Sequence, residues 1–284
     1  MRMRATVAAV SGALALSALA VPAAQADAEP GALASSVTPF GADAFGATAA
    51  ADEVVGDTVI DKVTVNGGKD VVVGTTNKKT FTISVTATDP SGIEDGYAFL
   101  WHGTDIDTDV DGAIVPDAET GTCTALNARS ATCKVTVVAD PNENIYSNVL
   151  AGKWKVFAGA LGKDGDYVLK DAYKTHSVKR YSRLTVNASP EPVKKGKTIT
   201  VTGALTRANW DTGKYAGYTN QFVKLQFKKK GATTYADVKT IKSGSAGALK
   251  TTVTATTDGT FRFVFAGTST TPAVTSSGDF VDVQ

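Results

Sequence analysis

Between Asp107 and Glu119 the chain reads DTDVDGAIVPDAE, with Asp107, Asp109 and Asp111 at every second position and Gly112 directly after them. Carboxylates at loop positions one, three and five, glycine at six and an aliphatic residue (Ile114) at eight form the first half of an EF-hand calcium loop. Position twelve should supply a bidentate carboxylate, but Ala118 stands there, flanked by Asp117 and Glu119. Pro116 occupies the point where an exiting helix would begin, and the preceding YAFLWHG has the character of a strand. A helix-loop-helix is therefore excluded. Calcium is not: Asp107, Asp109, Asp111, Asp117 and Glu119 remain a candidate metal set on a connection between strands, because crowded carboxylates favour a counter-ion. The alternative is a solvated acidic connection with a turn at Asp111-Gly112. Whether Asp117 or Glu119 folds back onto the three aspartates decides between the two.

Other connections are acidic as well. DPSGIEDG carries Asp89, Glu94 and Asp95, DPNEN carries Asp140 and Glu143, and KDGD carries Asp164 and Asp166. Such loops can gather at one end of a sandwich, as in cadherin-like domains, but Asp-Pro and Asp-Gly pairs are also ordinary turns, so none is singled out. In NWDTGKYAGYTNQ, Trp210, Tyr215 and Tyr218 stand among Asn209, Asp211, Asn220 and Gln221, a candidate glycan platform. The alternative is that Trp210 and one tyrosine pack down to anchor the loop. Lys228 to Lys230, with Lys194, Lys195 and Lys197, offer a basic patch for a cell-wall polymer. Catalysis finds no foothold: His102 and His176 are the two histidines, not spaced as a ligand pair, and there is no G-x-S-x-G elbow, P-loop or dinucleotide fingerprint. No specific nucleic-acid motif is present either.

The elements that must hold these groups are short strands. In FTISVTAT, Phe81, Ile83, Val85 and Ala87 share one face, with Thr82, Ser84, Thr86 and Thr88 on the other. GKWKVFAGA repeats the period through Trp154, Val156 and Ala158, and no segment of this half holds a helical period. At RLTVNASPEPVKKGKTITVTG the alternation restarts, and it continues through Val223, Leu225 and Phe227 and through Phe261, Phe263 and Phe265. The expected fold is all-β: two immunoglobulin-like β-sandwich domains in tandem rather than one large barrel or solenoid. The chain divides into a signal peptide over 1–26, a disordered lead-in over 27–57, an acidic sandwich over 58–182 and a basic sandwich over 183–284.

The leader MRMRATVAAVSGALALSALAVPAAQA has Arg2 and Arg4, an apolar run and the small-residue box Ala24-Gln25-Ala26. Ser11, Gly12 and Ser17 interrupt the run, so cleavage and export are expected rather than a membrane span. In an exported chain Cys123 and Cys133 read as a disulfide stapling neighbouring strands, contributing about 2.5–3 kcal/mol. A catalytic thiol is the rival. The formal charge of +1 conceals an asymmetry: Asp27 to Ser182 carries 13 Lys and Arg against 22 Asp and Glu, net −9, and Arg183 to Gln284 carries 14 against 6, net +8. The acidic part attracts cations and the basic part polyanions, unless the two halves attract each other or are simply solvated.

The run RLTVNASPEPVKKGKTITVTGALTRANWDTGKYAGYTNQFVKLQFKKKG and the closing VFAGTSTTPAVTSSGDFVDV resemble a family of secreted actinobacterial proteins of unestablished role, sometimes labelled calcium-binding. The resemblance extends to VNGGKDVVVGT and GTCTALNARSATCK. It implies an extracellular protein of immunoglobulin-like domains and brings no catalytic residues. The expected function is non-enzymatic binding at or outside the cell surface, with calcium capture by the first domain preferred. Attachment to cell wall or glycan through the second domain, or a purely structural role, are the alternatives.

Overall fold

A computed structural model describes residues 52–284. The expected signal peptide and residues 27–51 of the expected lead-in lie outside the described residues. The first sandwich is built from β1 (Glu53–Val55), β2 (Val59–Val65), β3 (Val71–Val73), β4 (Lys79–Thr88), β5 (Ile93–Asp105), β6 (Asp109–Ile114), β7 (Thr122–Ala125), β8 (Ser130–Ala139), β9 (Gly152–Gly162) and β10 (Tyr167–Arg180). One sheet runs β2-β4-β8-β7; the other runs β1-β10-β9-β5-β6, with β3 lying parallel to β10. This Greek-key pairing, with the first strand split between both sheets, is that of an immunoglobulin-like sandwich.

The alternation of apolar residues determines which side of each strand is buried. Phe81, Ile83, Val85 and Ala87 on β4 and Ala131, Cys133, Val135, Val137 and Ala139 on β8 all point inward and are buried. On the outward side, the hydroxyls of Thr86 and Thr132 meet at 2.9 Å and those of Thr88 and Ser130 at 2.8 Å, so threonines facing water also tie the strands together. From the opposite sheet Leu100, Ile114, Trp154 and Val156 close the core, each without exposed surface. The Trp154 indole N–H donates to the Leu150 carbonyl at 2.6 Å, which satisfies the polar edge of the largest fully buried side chain. Cys123 and Cys133 are directly opposite one another on β7 and β8 and form the expected disulfide.

Glu53–Val55 was expected to belong to the lead-in, and the structure corrects this. As β1 it pairs with Tyr167–Leu169 on the edge of β10, and the Tyr167 hydroxyl donates to the Glu53 carboxylate at 2.5 Å. The segment is too short to show a period, and its order comes from an available sheet edge rather than from its own pattern.

Only Tyr181 separates β10 from the second sandwich, which comprises β11 (Ser182–Leu184), β12 (Asn187–Ser189), β13 (Thr198–Asn209), β14 (Lys214–Gly217), β15 (Phe222–Lys229), β16 (Ala236–Lys242), β17 (Ala248–Thr254), β18 (Gly259–Phe265), β19 (Val274–Thr275) and β20 (Asp279–Val281). β11, β12, β14 and β17 pair with β13 in one sheet, and the other runs β16-β15-β18-β19 with β20 also on β18. Ile199, Val201, Leu205, Leu225, Leu249 and Phe263 form its core. The long strand β13 reaches beyond this core, so that Ala208 and Trp210 are buried in the core of the first sandwich.

Candidate functional site

The acidic stretch that contains Asp105, Asp107, Asp109 and Asp111 is a hairpin of β5 and β6. β5 and β6 pair from Leu100–Ile114 out to Asp105–Asp109, and the turn lies at 106–108, not at Asp111-Gly112. The Asp105 carboxylate caps that turn, accepting from the backbone N–H of Asp107 and Thr108 at 3.0 Å each and from the Thr108 hydroxyl at 2.9 Å. These bonds hold its carboxyl below the ordinary range. Asp109 accepts from the Thr104 hydroxyl at 2.5 Å, and Asp111 pairs with Nδ1 of His102 at 2.6 Å. Gly112 sits in mid-strand opposite His102, and a Cβ there would stand 2.9 Å from the Trp154 ring and 3.0 Å from Leu150. The glycine that looks like an EF-hand pivot is thus a gap that admits an indole.

Asp117 and Glu119 do not fold back. Pro116 bridges to Val137 on the opposite sheet, so the chain has left the hairpin before either carboxylate is reached. Asp140 chiefly raises the Lys78 ammonium, through a hydrogen bond and its charge, followed by Glu143, with Asp117 the smallest contributor; burial first and Glu119 second raise the Tyr97 phenol. The five residues of the candidate metal set are not brought together.

A different trio is. Asp57, Asp89 and Asp166 each present a carboxylate oxygen within 4.8 Å of the others. They come from three connections at one end of the first sandwich: β1–β2, β4–β5 and β9–β10. The connections are tied to one another by Lys163 N–H to the Gly92 carbonyl at 2.9 Å, Asp164 N–H to the Ser91 hydroxyl at 3.2 Å and Asp57 N–H to the Asp166 carboxylate at 3.1 Å. Gly56 has φ of +77° and passes so close to Asp166 that a Cβ would lie 1.7 Å from its carboxylate. Only glycine can occupy that position.

The three carboxylates differ in environment. Asp89 has no exposed surface. Burial pushes its carboxyl up, but bonds from the Ser91 hydroxyl and N–H (2.5 and 2.7 Å) and the Thr58 hydroxyl (2.5 Å) outweigh that and hold it low. Asp57 is pushed the other way, by desolvation and then by Asp89, Asp166 and Asp164. A buried carboxylate whose hydrogen bonds favour the ionised form thus faces a crowded one at the rim, an arrangement that a cation relieves. The donors are all hard oxygens, which suits calcium. Asp89, Asp164 and Asp166 were visible in DPSG and KDGD as turns. Asp57 falls in the expected lead-in, and its only signal is the Gly-Asp-Thr that precedes β2.

Asp95 lies beside the disulfide sulfurs, but its carboxylate accepts from the N–H of Gly96 and Gly121, and bridged sulfurs offer no thiolate.

Of the aromatic candidates of the second sandwich, Trp210 is buried and Tyr215 and Tyr218 are half-buried. Trp210 is 4% exposed, and its indole N–H donates to the Gly74 carbonyl of the first sandwich at 2.9 Å. Asp211 beside it accepts from the Ser147 hydroxyl and the Asn148 N–H at 2.9 Å each, and Asn209 accepts from the Asn148 amide at 2.7 Å. The Arg183 guanidinium lies 3.5 Å over the Tyr215 ring, and that of Arg207 lies 3.8 Å over Tyr218. Trp210 therefore anchors the loop in the first sandwich, Tyr215 packs against that same core and Tyr218 against the core of the second, so the three rings do not form one open platform.

No protein-family model matches the chain, and no curated protein matches it. Among solved structures it is similar to the D00-D0 domain of intimin, with 13% identity over 78% of this chain and 99% of that one and a TM-score of 0.26. It is also similar to the Yersinia pseudotuberculosis adhesin InvE, with 14% identity over 77% of this chain and 56% of that one and a TM-score of 0.24. The ectodomain of mouse nectin-like molecule 4 gives 13% identity, coverage of 81% and 65%, and a TM-score of 0.24. At these scores the likeness adds nothing to the strand pairings already described. No helix among the described residues is long and apolar enough to cross a membrane.

Proposed function

We propose that the chain is an exported, non-enzymatic binding protein whose first sandwich captures calcium at Asp57, Asp89 and Asp166. The observation that carries this reading is the convergence of one oxygen from each carboxylate, on three different connections, to within 4.8 Å. Asp164, which crowds Asp57 from the same side, adds to the negative field. Because both Asp89 oxygens already accept hydrogen bonds, the affinity belongs to the weak extracellular class, about 10⁻⁴–10⁻³ M. Thermal unfolding in calcium and in chelator tests the reading. At roughly tenfold excess over Kd the gain is about 1.4 kcal/mol, a rise of roughly 3–6 °C. Identical melting in millimolar calcium and in chelator would count against it.

Attachment to a cell-wall polymer or glycan through the second sandwich is the second reading. The net charge of +8 on residues 183–284 supports it, while the buried Trp210 and the arginines over Tyr215 and Tyr218 weigh against sugar stacking on these rings. Pull-down with isolated cell wall at low and high salt tests it, and binding indifferent to salt would argue against a charged surface.

A further inference from the structure

The outward face of β15, β16, β18 and β20 arranges its cations in a particular way. At one end Lys242 stands 5.1 Å over the Phe222 ring, and at the other Lys230 stands 5.9 Å over Phe280. Between them the Arg262 guanidinium lies 3.6 Å over Tyr235, with Lys228 at 5.1 Å from the same ring. Phe222 and Phe280 are 67% and 44% exposed, so these rings are not core that happens to reach the surface. The Arg262 side chain is fixed further by its Nε–H bond to Gln226 at 2.9 Å. Asp237 engages Lys224, and Asp258 engages Lys230, but Lys228, Lys242 and Arg262 have no carboxylate partner among the described residues. Phe222 to Lys228 runs along one strand, a track of roughly 20 Å.

We propose that this sheet face binds a linear polyanion, a carboxylate- or phosphate-bearing wall or capsule polymer, along the line from Lys242 to Lys230. The proposal rests on the second reading above and specifies its surface and partner. Cations laid on aromatic rings lose less freedom on binding than solvated ones, so a row of them is prepared for an extended chain of like charges. A nucleic acid is the poorer fit, because single strands are held by stacking bases on open rings, and here each of the three rings, Tyr235, Phe222 and Phe280, already has a cation over it. The acidic first sandwich of a second copy is the remaining rival occupant.

The full exported chain would be titrated by fluorescence anisotropy against labelled polygalacturonate, polyglycerol phosphate and oligo-dT. The two polymers separate carboxylate from phosphate as the recognised group. Binding to at least one polymer is expected, with affinity falling about tenfold or more between about 20 and 300 mM salt. The double charge reversal Lys228→Glu/Lys242→Glu should lower affinity by about tenfold, with an unchanged circular dichroism melt as the fold control. Lys242→Gln should give a smaller loss. Undiminished binding by the reversed variant, oligo-dT binding as tight as either polymer, or no polymer binding accompanied by salt-sensitive self-association in sedimentation would each overturn the proposal. If intact wall is still retained in a salt-sensitive manner while the reversed variant binds as wild type, the second reading stands and this face is wrong.

Discussion

Gly112 shows how one residue type can serve two different chemistries. In the sequence it completes a half-EF-hand, and in the fold it leaves room for Trp154 and Leu150, whose atoms would stand 2.9 and 3.0 Å from a Cβ. Gly112→Ala is therefore expected to destabilise the protein by about 1–3 kcal/mol, read as a lower denaturation midpoint, with calcium binding retained. Asp57 makes the complementary case for charge. Its carboxyl is raised from 3.8, by desolvation first and then by Asp89, Asp166 and Asp164. The folded chain thus holds this proton to higher pH than the unfolded one, so the stabilisation is complete below the ordinary carboxylate value and is lost as pH rises through the raised one. Once ionised, the group faces the charges of its neighbours. Asp57→Asn should accordingly raise the melting temperature in calcium-free buffer at pH 7, and that gain should vanish by about pH 3, where both forms are neutral. In calcium the order should reverse.

At the scale of elements, the connections matter more than the strands. The β9–β10 turn and the β4–β5 turn meet because they lie at the same end of neighbouring strands, and β1 brings Asp57 to them by pairing with β10. The strands were legible in the sequence: the period of FTISVTAT, GKWKVFAGA and FRFVF fixes which side is buried, and burial follows it except at Gly159, which is buried off that face. The disulfide was legible too, from two closely spaced cysteines in a chain expected to be exported. The meeting of turns was not, because Asp-Pro-Ser-Gly and Asp-Gly-Asp look the same whether or not another loop lies beside them. Nor was the fate of Trp210, since a tryptophan among amides reads equally as platform or anchor until the neighbouring surface is known. Reducing the Cys123–Cys133 bridge between β7 and β8 should cost about 2.5–3 kcal/mol, measured as a shifted urea midpoint.

Across the whole molecule, the two sandwiches are joined by more than the single residue Tyr181. Arg180 of β10 donates to the Ala208 carbonyl of β13 at 2.6 Å, and Ala208 N–H returns to the Tyr181 carbonyl at 2.8 Å. Burial and the nearby Arg207 lower the Arg180 guanidinium to about 10, which leaves it charged at neutral pH. With Trp210 filling the first sandwich and Asp211 gripping Ser147 and Asn148, the junction is built as an interior rather than as a hinge. Trp210→Ala should cost about 3–5 kcal/mol and split a single calorimetric transition into two as the sandwiches uncouple. A fixed junction also keeps the acidic end of the first sandwich and the basic face of the second on one body. Isothermal titration with calcium addresses the central claim most directly, comparing the wild type with Asp57→Asn/Asp166→Asn and with Asp109→Asn/Asp111→Asn. The account predicts one weak site in the wild type, lost in the first variant and kept in the second. Absence of heat in the wild type at millimolar calcium, or loss only in the second variant, would contradict it.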